Sequence, residues 1–286
     1  MKILVTAIHY PVASARYAVD ALRRLGHSVH SAGPAAGRAI WGIRVPPHYA
    51  WEPDPPPPGW EPNLALHMDA HLPAARHHNC PHVVFGVDNH VCGYHQLAWD
   101  HLFLAHGGGL RMGEPEVTWL PCAYDPVHFT PGPPYAARAL DAALVGVGYP
   151  ARGALIEALR AALPDLRLFA GTGLLYDGYA GVYHAARISL VRSVAGDVAQ
   201  RAWETAAMGC LLVLDEVHDC AALGLRHGEN CLLYRSEAGA VDRVRWALDH
   251  PVAAAEIAAA GQRWAAPGTW DARLAVIVDW VEADAR

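Results

Sequence analysis

The run from Ala186 to Asp215, ARISLVRSVAGDVAQRAWETAAMGCLLVLD, constrains the fold more tightly than any other stretch of the chain. Its short apolar segment Ile188 to Val191, set between arginines, suits a buried strand of a parallel sheet. Val198 to Met208 then carries apolar residues at helical spacing, and Leu211 to Leu214 reads as a second buried strand. Between strand and helix lies a polar loop, Arg192 to Asp197. There Gly196 permits close backbone approach, and Asp197 is placed to cap the helix. Loops at the carboxyl ends of strands carry the ligands of open parallel α/β sheets. The helix carboxylate Glu204 is therefore the first candidate functional group.

A chain of 286 residues exceeds one ordinary α/β domain and is comfortable as two. The first 34 residues read as strand (Ile3 to Ala7), helix (Arg16 to Leu25), a stop at Gly26 and strand (Ser28 to Ala32), a βαβ opening. Further strands are expected at Leu64 to Met68, Val83 to Val87, Leu102 to Ala105 and Val117 to Leu120. From Pro46 to Pro62 eight prolines exclude helix and central strand. That run is either a surface connector or an aromatic lip built on Trp51 and Trp60.

A Pro- and Gly-containing linker near Pro131 to Pro134 starts a second α/β series. It runs through strand Ala143 to Val147, helix Gly153 to Leu163, strand Arg167 to Ala170 and helix Gly178 to Ala185 into the opening strand. The expected architecture is α/β, with two Rossmann-like domains, 1–131 and 132–267, facing a cleft. A C-terminal amphipathic helix, 268–286, carries Leu274, Ile277, Val278 and Val281 on one face and packs back across a domain surface.

Composition narrows the function classes. A net charge of −6 argues against a nucleic-acid surface, because the Lys and Arg residues, of which only Lys2 is lysine, are scattered rather than clustered. MKILVTAIHY lacks the apolar core and cleavage site of a signal peptide, and no apolar run approaches the roughly 20 residues of a membrane span. A cytoplasmic protein is the expectation. The six cysteines (Cys80, Cys92, Cys122, Cys210, Cys220 and Cys231) show no C-x-x-C pair, so free buried thiols are expected rather than zinc ligands or disulfides.

Several segments resemble one family together. CAYDPVHFTP at 122–131 is similar to the domain-joining signature of GT-B glycosyltransferases, and RAWETAAMGC at 201–210 to their second-domain glutamate helix. VGVGYPARGALIEALR, YHAARISLVRS and RHGENCLLYRS resemble the spore-maturation CgeB-like group within that fold. The resemblance implies transfer of a sugar from a nucleoside-diphosphate sugar, such as a UDP or TDP sugar, to a small-molecule or glycan acceptor. It implies retention of anomeric configuration, with neither metal nor other cofactor.

By the same resemblance Glu204 accepts hydrogen bonds from the ribose hydroxyls, and Arg152 and Arg187 hold the diphosphate at one cleft edge. Gly148, Tyr149, Gly171, Ser193, Gly196, Asp197 and Arg201 complete the nucleotide-sugar set, Arg201 orienting Glu204 from one helical turn away. Relatives carry a Glu-x7-Glu pair. Here Gly196 stands where the first glutamate belongs, with Asp197 beside it.

Fourteen of the eighteen histidines lie at or before His128. His67 and His71 read as strand residues about 13 Å apart, too far to share a metal. His9 and the triplet Asp88-Asn89-His90 follow strands and are expected at the carboxyl edge of the first sheet, where His9, Asp88 or His90 is the candidate acceptor base of an inverting reaction. In a retaining reaction they position the acceptor while the leaving diphosphate assists. Two other readings fit the sequence: a non-catalytic nucleotide-sugar or glycan-binding module, and a sugar-nucleotide epimerase of the same fold.

Overall fold

The computed structural model describes residues 1–35, 39–40, 43–68, 79–87, 99–107 and 117–284. They form two compact units, one of Met1–Cys122 with Trp270–Arg286 and one of Ala123–Thr269.

The first unit begins β1 (Lys2–Thr6), α1 (Ser14–Arg24) and β2 (Ser28–Ala32), followed by a two-residue antiparallel pair, β3 (Ala39–Ile40) and β4 (Ile43–Arg44). The remaining strands are β5 (Leu64–His67), β6 (His82–Gly86), β7 (His101–Leu104) and β8 (Val117–Trp119). All but β3 and β4 form one parallel sheet in the order β2-β1-β5-β6-β7-β8. As expected of a sheet covered on both faces, β5, β6 and β7 are buried throughout.

The C-terminal helix (Trp270–Asp284) packs on this sheet's layer, as its apolar face requires. Trp270 is fully buried and meets Phe85 edge to face, with ring centroids 5.7 Å apart. A two-pronged Arg24–Asp271 pair and an Arg273 Nε bond to the Pro121 carbonyl fix its position.

The proline run is a strap along the sheet edge. Ser31 and Asp54 exchange backbone hydrogen bonds at 2.9 Å, Trp51 stacks on His9 at 4.1 Å, and Trp60 meets His30 edge-on. The half-buried tryptophans thus lie at opposite ends of β1, Trp51 beyond its carboxyl end and Trp60 beside Lys2 at its amino end.

The second unit runs β9 (Leu140–Val145), α2 (Pro150–Ala162), β10 (Leu168–Gly171), α3 (Tyr176–Ala185), β11 (Ala186–Val191), α4 (Gln200–Ala207), β12 (Leu211–Asp215), α5 (Asp219–Ala222), β13 (Leu232–Tyr234), α6 (Glu237–Asp249) and α7 (Pro251–Ala265). Its parallel sheet has the order β10-β9-β11-β12-β13. The chain moves outward from β9 to β10 and then crosses to β11, so the direction of winding reverses between β9 and β11. Open α/β sheets place ligands at such a switch point. A core of Leu144, Leu155, Leu159, Ile188, Leu190, Leu211, Val213, Val244 and Ile257 joins this sheet to α2, α6 and α7.

One buried cation organises this unit. Arg138, 3% exposed just before β9, donates from Nη1 to the carbonyls of Tyr183 and Ala186 at the end of α3, and from Nη2 to Met208 at the end of α4. Its Nε reaches the Pro133 carbonyl. Helix carboxyl ends leave carbonyls without internal partners and carry partial negative charge, so a guanidinium there satisfies both needs. Gly209, at φ +82, ends α4 where a Cβ would stand 2.9 Å from that guanidinium.

Arg138→Met strips donors from four carbonyls and is expected to cost at least about 3 kcal/mol in chemical denaturation. His67, bonded to Thr6 and to His82 inside the first sheet, is pushed down from 6.5 to about 4 by burial and then by His82. Its folded-state value lies below its unfolded one, so the unfolded chain binds the extra proton. Stability is full above about pH 6.5 and falls as pH drops toward 4, by up to about 3 kcal/mol. Denaturant titrations over that range check the slope, which His67→Gln flattens.

Candidate functional site

The described candidates of the second unit, Arg187 apart, gather at the carboxyl ends of β9, β10 and β11. Beyond β9 the chain passes Gly146, Val147, Gly148 and Tyr149 into α2. Arg152, in the first turn of α2, donates from Nη1 to the Val147 carbonyl (3.0 Å) and from Nε to the Arg192 carbonyl (3.3 Å), so it spans the switch point from one loop to the other. Tyr149 lies under its guanidinium at 5.1 Å. Burial and the neighbouring charge of Arg201 push Arg152 down to about 10, still cationic at neutral pH.

Arg201 approaches the same point from α4. A Cβ on Gly146 would clash with Arg201 Nη2 and stand 3.2 Å from Arg152 Nη1, so two guanidinium groups converge on one bare backbone position. Gly146 adopts φ +154, a conformation that disfavours side chains in any case. The buried Nε and Nη1 of Arg201 have no hydrogen-bond partner. Burial works against its charge, but the oxygens of Tyr183, Tyr179 and Glu204 outweigh it and raise its pKa. Unspent donors beside a second cation make an anion-binding arrangement.

Glu204 is 7% exposed, one turn along α4. Tyr179 Oη donates to its Oε2 at 2.6 Å and Gln200 Nε2 to its Oε1 at 2.7 Å. Burial raises its pKa, opposed by those two hydrogen bonds and by the Arg201 charge. Arg201 thus acts on Glu204 through its charge, while Tyr179 and Gln200 orient the carboxylate; the sequence had suggested Arg201 for that task. Trp203, on another face of α4, stacks on Trp264 of α7 at 4.2 Å and fixes the helix laterally.

The loop after β11 is tied internally. The Ser193 N–H donates to both oxygens of Asp215, at 2.9 and 3.1 Å, and Arg192 adds a bond at 3.2 Å. Ser193 Oγ donates to Asp197 Oδ1 and accepts from the Asp197 N–H. Asp197 therefore closes the loop on itself and does not cap α4, whose N-cap is Ala199 without a side-chain bond. Gly196 takes φ +76 between them. Gly171 closes β10, and its carbonyl accepts the Gly146 N–H at 2.9 Å.

Arg187 lies elsewhere. As the second residue of β11 it sits at the amino end of the sheet, within 3.5 Å of Asp141, which also pairs with Arg167. Burial favours the neutral form of Asp141, but the hydrogen bonds from Arg167 and the charges of Arg167 and Arg187 hold it below the usual carboxylate range. Five residues of strand, about 16 Å, separate Arg187 from the loop that Arg152 binds. The expectation that the two arginines share one edge fails for that reason.

In the first unit His9 follows β1 as expected, but it is 1% exposed. Nε2 is bonded to Ser31 Oγ at 3.0 Å, the ring is covered by Trp51, and burial lowers its pKa. Its Nδ1 has no partner. Asp88 and His90 lie outside the described residues, as do His71 and Cys92. Among the described residues no group of three or more His, Cys, Asp or Glu side chains is placed to hold a metal, no disulfide forms, and no helix is long and apolar enough to cross a membrane.

Sequence reasoning missed Gly146, Tyr179 and Gln200. The i,i+4 spacing of Gln200 and Glu204 was a readable signal; Tyr179 had none, because its partner lies 25 residues away. Gly146→Ala tests the convergence of the two arginines: it is expected to destabilise the protein by about 1–3 kcal/mol and to displace Arg201, read by thermal unfolding and by a structure of the variant.

The family described as glycosyl transferase-like matches residues 135–279, which include this whole cluster. No curated protein matches the chain. Among solved structures, HepE of Anabaena in complex with UDP-glucose superposes with a TM-score of 0.67 at 11% identity, over 99% of this chain and 100% of that one. The sucrose-phosphate synthase of Thermosynechococcus elongatus gives 0.65 at 13% identity over 99% and 98%, and a glycosyltransferase from Rickettsia africae gives 0.65 at 9% over 99% and 98%. At these identities the likeness is one of fold, the two Rossmann-like α/β domains of the GT-B class. With a match over half its length, the chain belongs to the glycosyl transferase-like family.

Proposed function

We propose that this protein transfers a sugar from a nucleoside-diphosphate sugar to a small-molecule or glycan acceptor, with retention of anomeric configuration and without a metal. The observation that carries the reading is the convergence of Arg152 and Arg201 on Gly146, beside Glu204, at the switch point of the second sheet. Family membership supports sugar transfer, and the UDP-glucose complex of HepE supports a nucleotide-sugar donor.

In this reading the diphosphate lies against Arg152 and Arg201, whose forked donors match phosphate oxygens. Glu204 takes the ribose hydroxyls, and the loops at Gly148, Tyr149, Gly171, Ser193, Gly196 and Asp197 surround the donor. Arg187 is withdrawn from the diphosphate, because Asp141 holds it at the far end of the sheet. Two fixed cations, held in place before the reaction, stabilise the charge that grows on the departing diphosphate. The acceptor is assigned to the first unit, with His9, Asp88 and His90 as its positioning groups. Nucleic acid has no role, and a cytoplasmic setting fits the substrate.

A module that binds the donor without transferring its sugar is the second reading. Gly196 favours it, since φ +76 suits glycine and the loop is built without the carboxylate that the family resemblance places there. Asp197 is already engaged by Ser193.

Titration calorimetry with UDP, TDP and GDP checks the donor site. At least one is expected to bind the wild type, and Glu204→Ala is expected to weaken it roughly tenfold or more, the value of hydrogen bonds to a charged group. Failure of all three to bind at millimolar concentration overturns the proposal. Binding with neither donor hydrolysis nor transfer over long incubation selects the second reading.

A further inference from the structure

We infer that Gln200 occupies the place of a nucleotide hydroxyl on Glu204 and must leave it for the donor to bind, while Tyr179 stays and keeps the carboxylate aimed. This rests on the reading that Glu204 receives the ribose.

Both carboxylate oxygens are engaged, at 2.6 Å by the Tyr179 hydroxyl and at 2.7 Å by the Gln200 amide. The two donors differ in freedom. Tyr179 is packed against Phe129 and Tyr183, with ring centroids 5.8 and 4.8 Å away, and its phenol is raised well above its usual range by burial and by the Glu204 charge, so it remains a donor at any physiological pH. Gln200 is the first residue of α4, partly exposed, and reaches Glu204 through a flexible side chain from i to i+4.

A vicinal diol seeks both oxygens of a carboxylate. Oε2 has a second lone pair to share beside Tyr179. Oε1 likewise keeps a second lone pair, but Glu204 is 7% exposed and Gln200 stands at the partly exposed start of its helix. In this inference the amide holds the approach a hydroxyl needs, so the ligand gains one hydrogen bond by breaking another. Gln200 thereby lowers affinity for the hydroxyls while it keeps the buried carboxylate satisfied when no nucleotide is present. Once Gln200 swings away, Tyr179 and the Arg201 charge still hold Glu204 in place.

The test is titration of UDP, of its 2′,3′-dideoxy analogue and of pyrophosphate into wild type, Gln200→Met and Tyr179→Phe. Methionine matches glutamine in size and cannot donate. Q200M is expected to bind UDP roughly tenfold more tightly, with no gain for the dideoxy analogue or for pyrophosphate. Y179F is expected to bind UDP more weakly, with its pyrophosphate affinity kept. A UDP affinity in Q200M equal to or below that of wild type overturns the inference, as does an equal gain for the dideoxy analogue. If wild type binds no UDP and no other nucleotide, the donor reading itself falls. If wild type binds UDP, Glu204→Ala weakens it and Q200M does not tighten it, only the role given to Gln200 falls.

Discussion

The second unit depends on one guanidinium. Arg138 is buried without a carboxylate partner, and it is tolerated there because helix carboxyl ends supply the negative potential that an acid would otherwise provide. Its bonds join the segment entering β9 to the ends of α3 and α4, the two helices that carry Tyr179 and Glu204. A shift of either helix end breaks hydrogen bonds shared with the other. The relative position of tyrosine and glutamate is therefore set by an interaction one helical turn beyond each of them.

From that frame the charges of the site follow in layers. Winding reverses between β9 and β11, which opens the sheet edge to a ligand, and Arg152 bridges the two loops that border the opening. Arg201 comes beside it only because position 146 has no side chain. Two like charges this close repel, and burial followed by that repulsion depresses Arg152. Glu204, Tyr179 and Tyr183 compensate Arg201 but leave part of its donor capacity unused. An anion is the species that relieves what remains.

Most of the fold was legible because it rests on short apolar runs and glycine stops. Both parallel sheets apart from β13, together with α1 and the C-terminal helix, fall where periodicity places them, with ends shifted by a few residues; β13, α6 and α7 were not anticipated. Position was legible where it rides on one element: Glu204 on its helix, Arg152 at the start of the helix after β9. It was not legible where a role depends on partners distant in sequence. Arg187 looks like a phosphate ligand until strand register puts Asp141 beside it. Asp197 looks like a cap until Ser193 folds back to claim it. The histidine-rich first half suggested chemistry, whereas His67 and His82 form a buried hydrogen-bonded pair across neighbouring strands, a contact that needs the pairing of β5 with β6 to be seen.

The C-terminal helix gives the two units different histories. The second is a single uninterrupted span, Ala123–Thr269, and has all of its core once that span has emerged. The first lacks Trp270 and the helix behind it until the whole second unit has been made, so Phe85 waits, uncovered on one side, for a residue 185 positions downstream. Domains commonly complete themselves in order of synthesis. Here the half that begins first finishes last, and a ribosome that stalls inside the second unit releases a first unit with an open hydrophobic face.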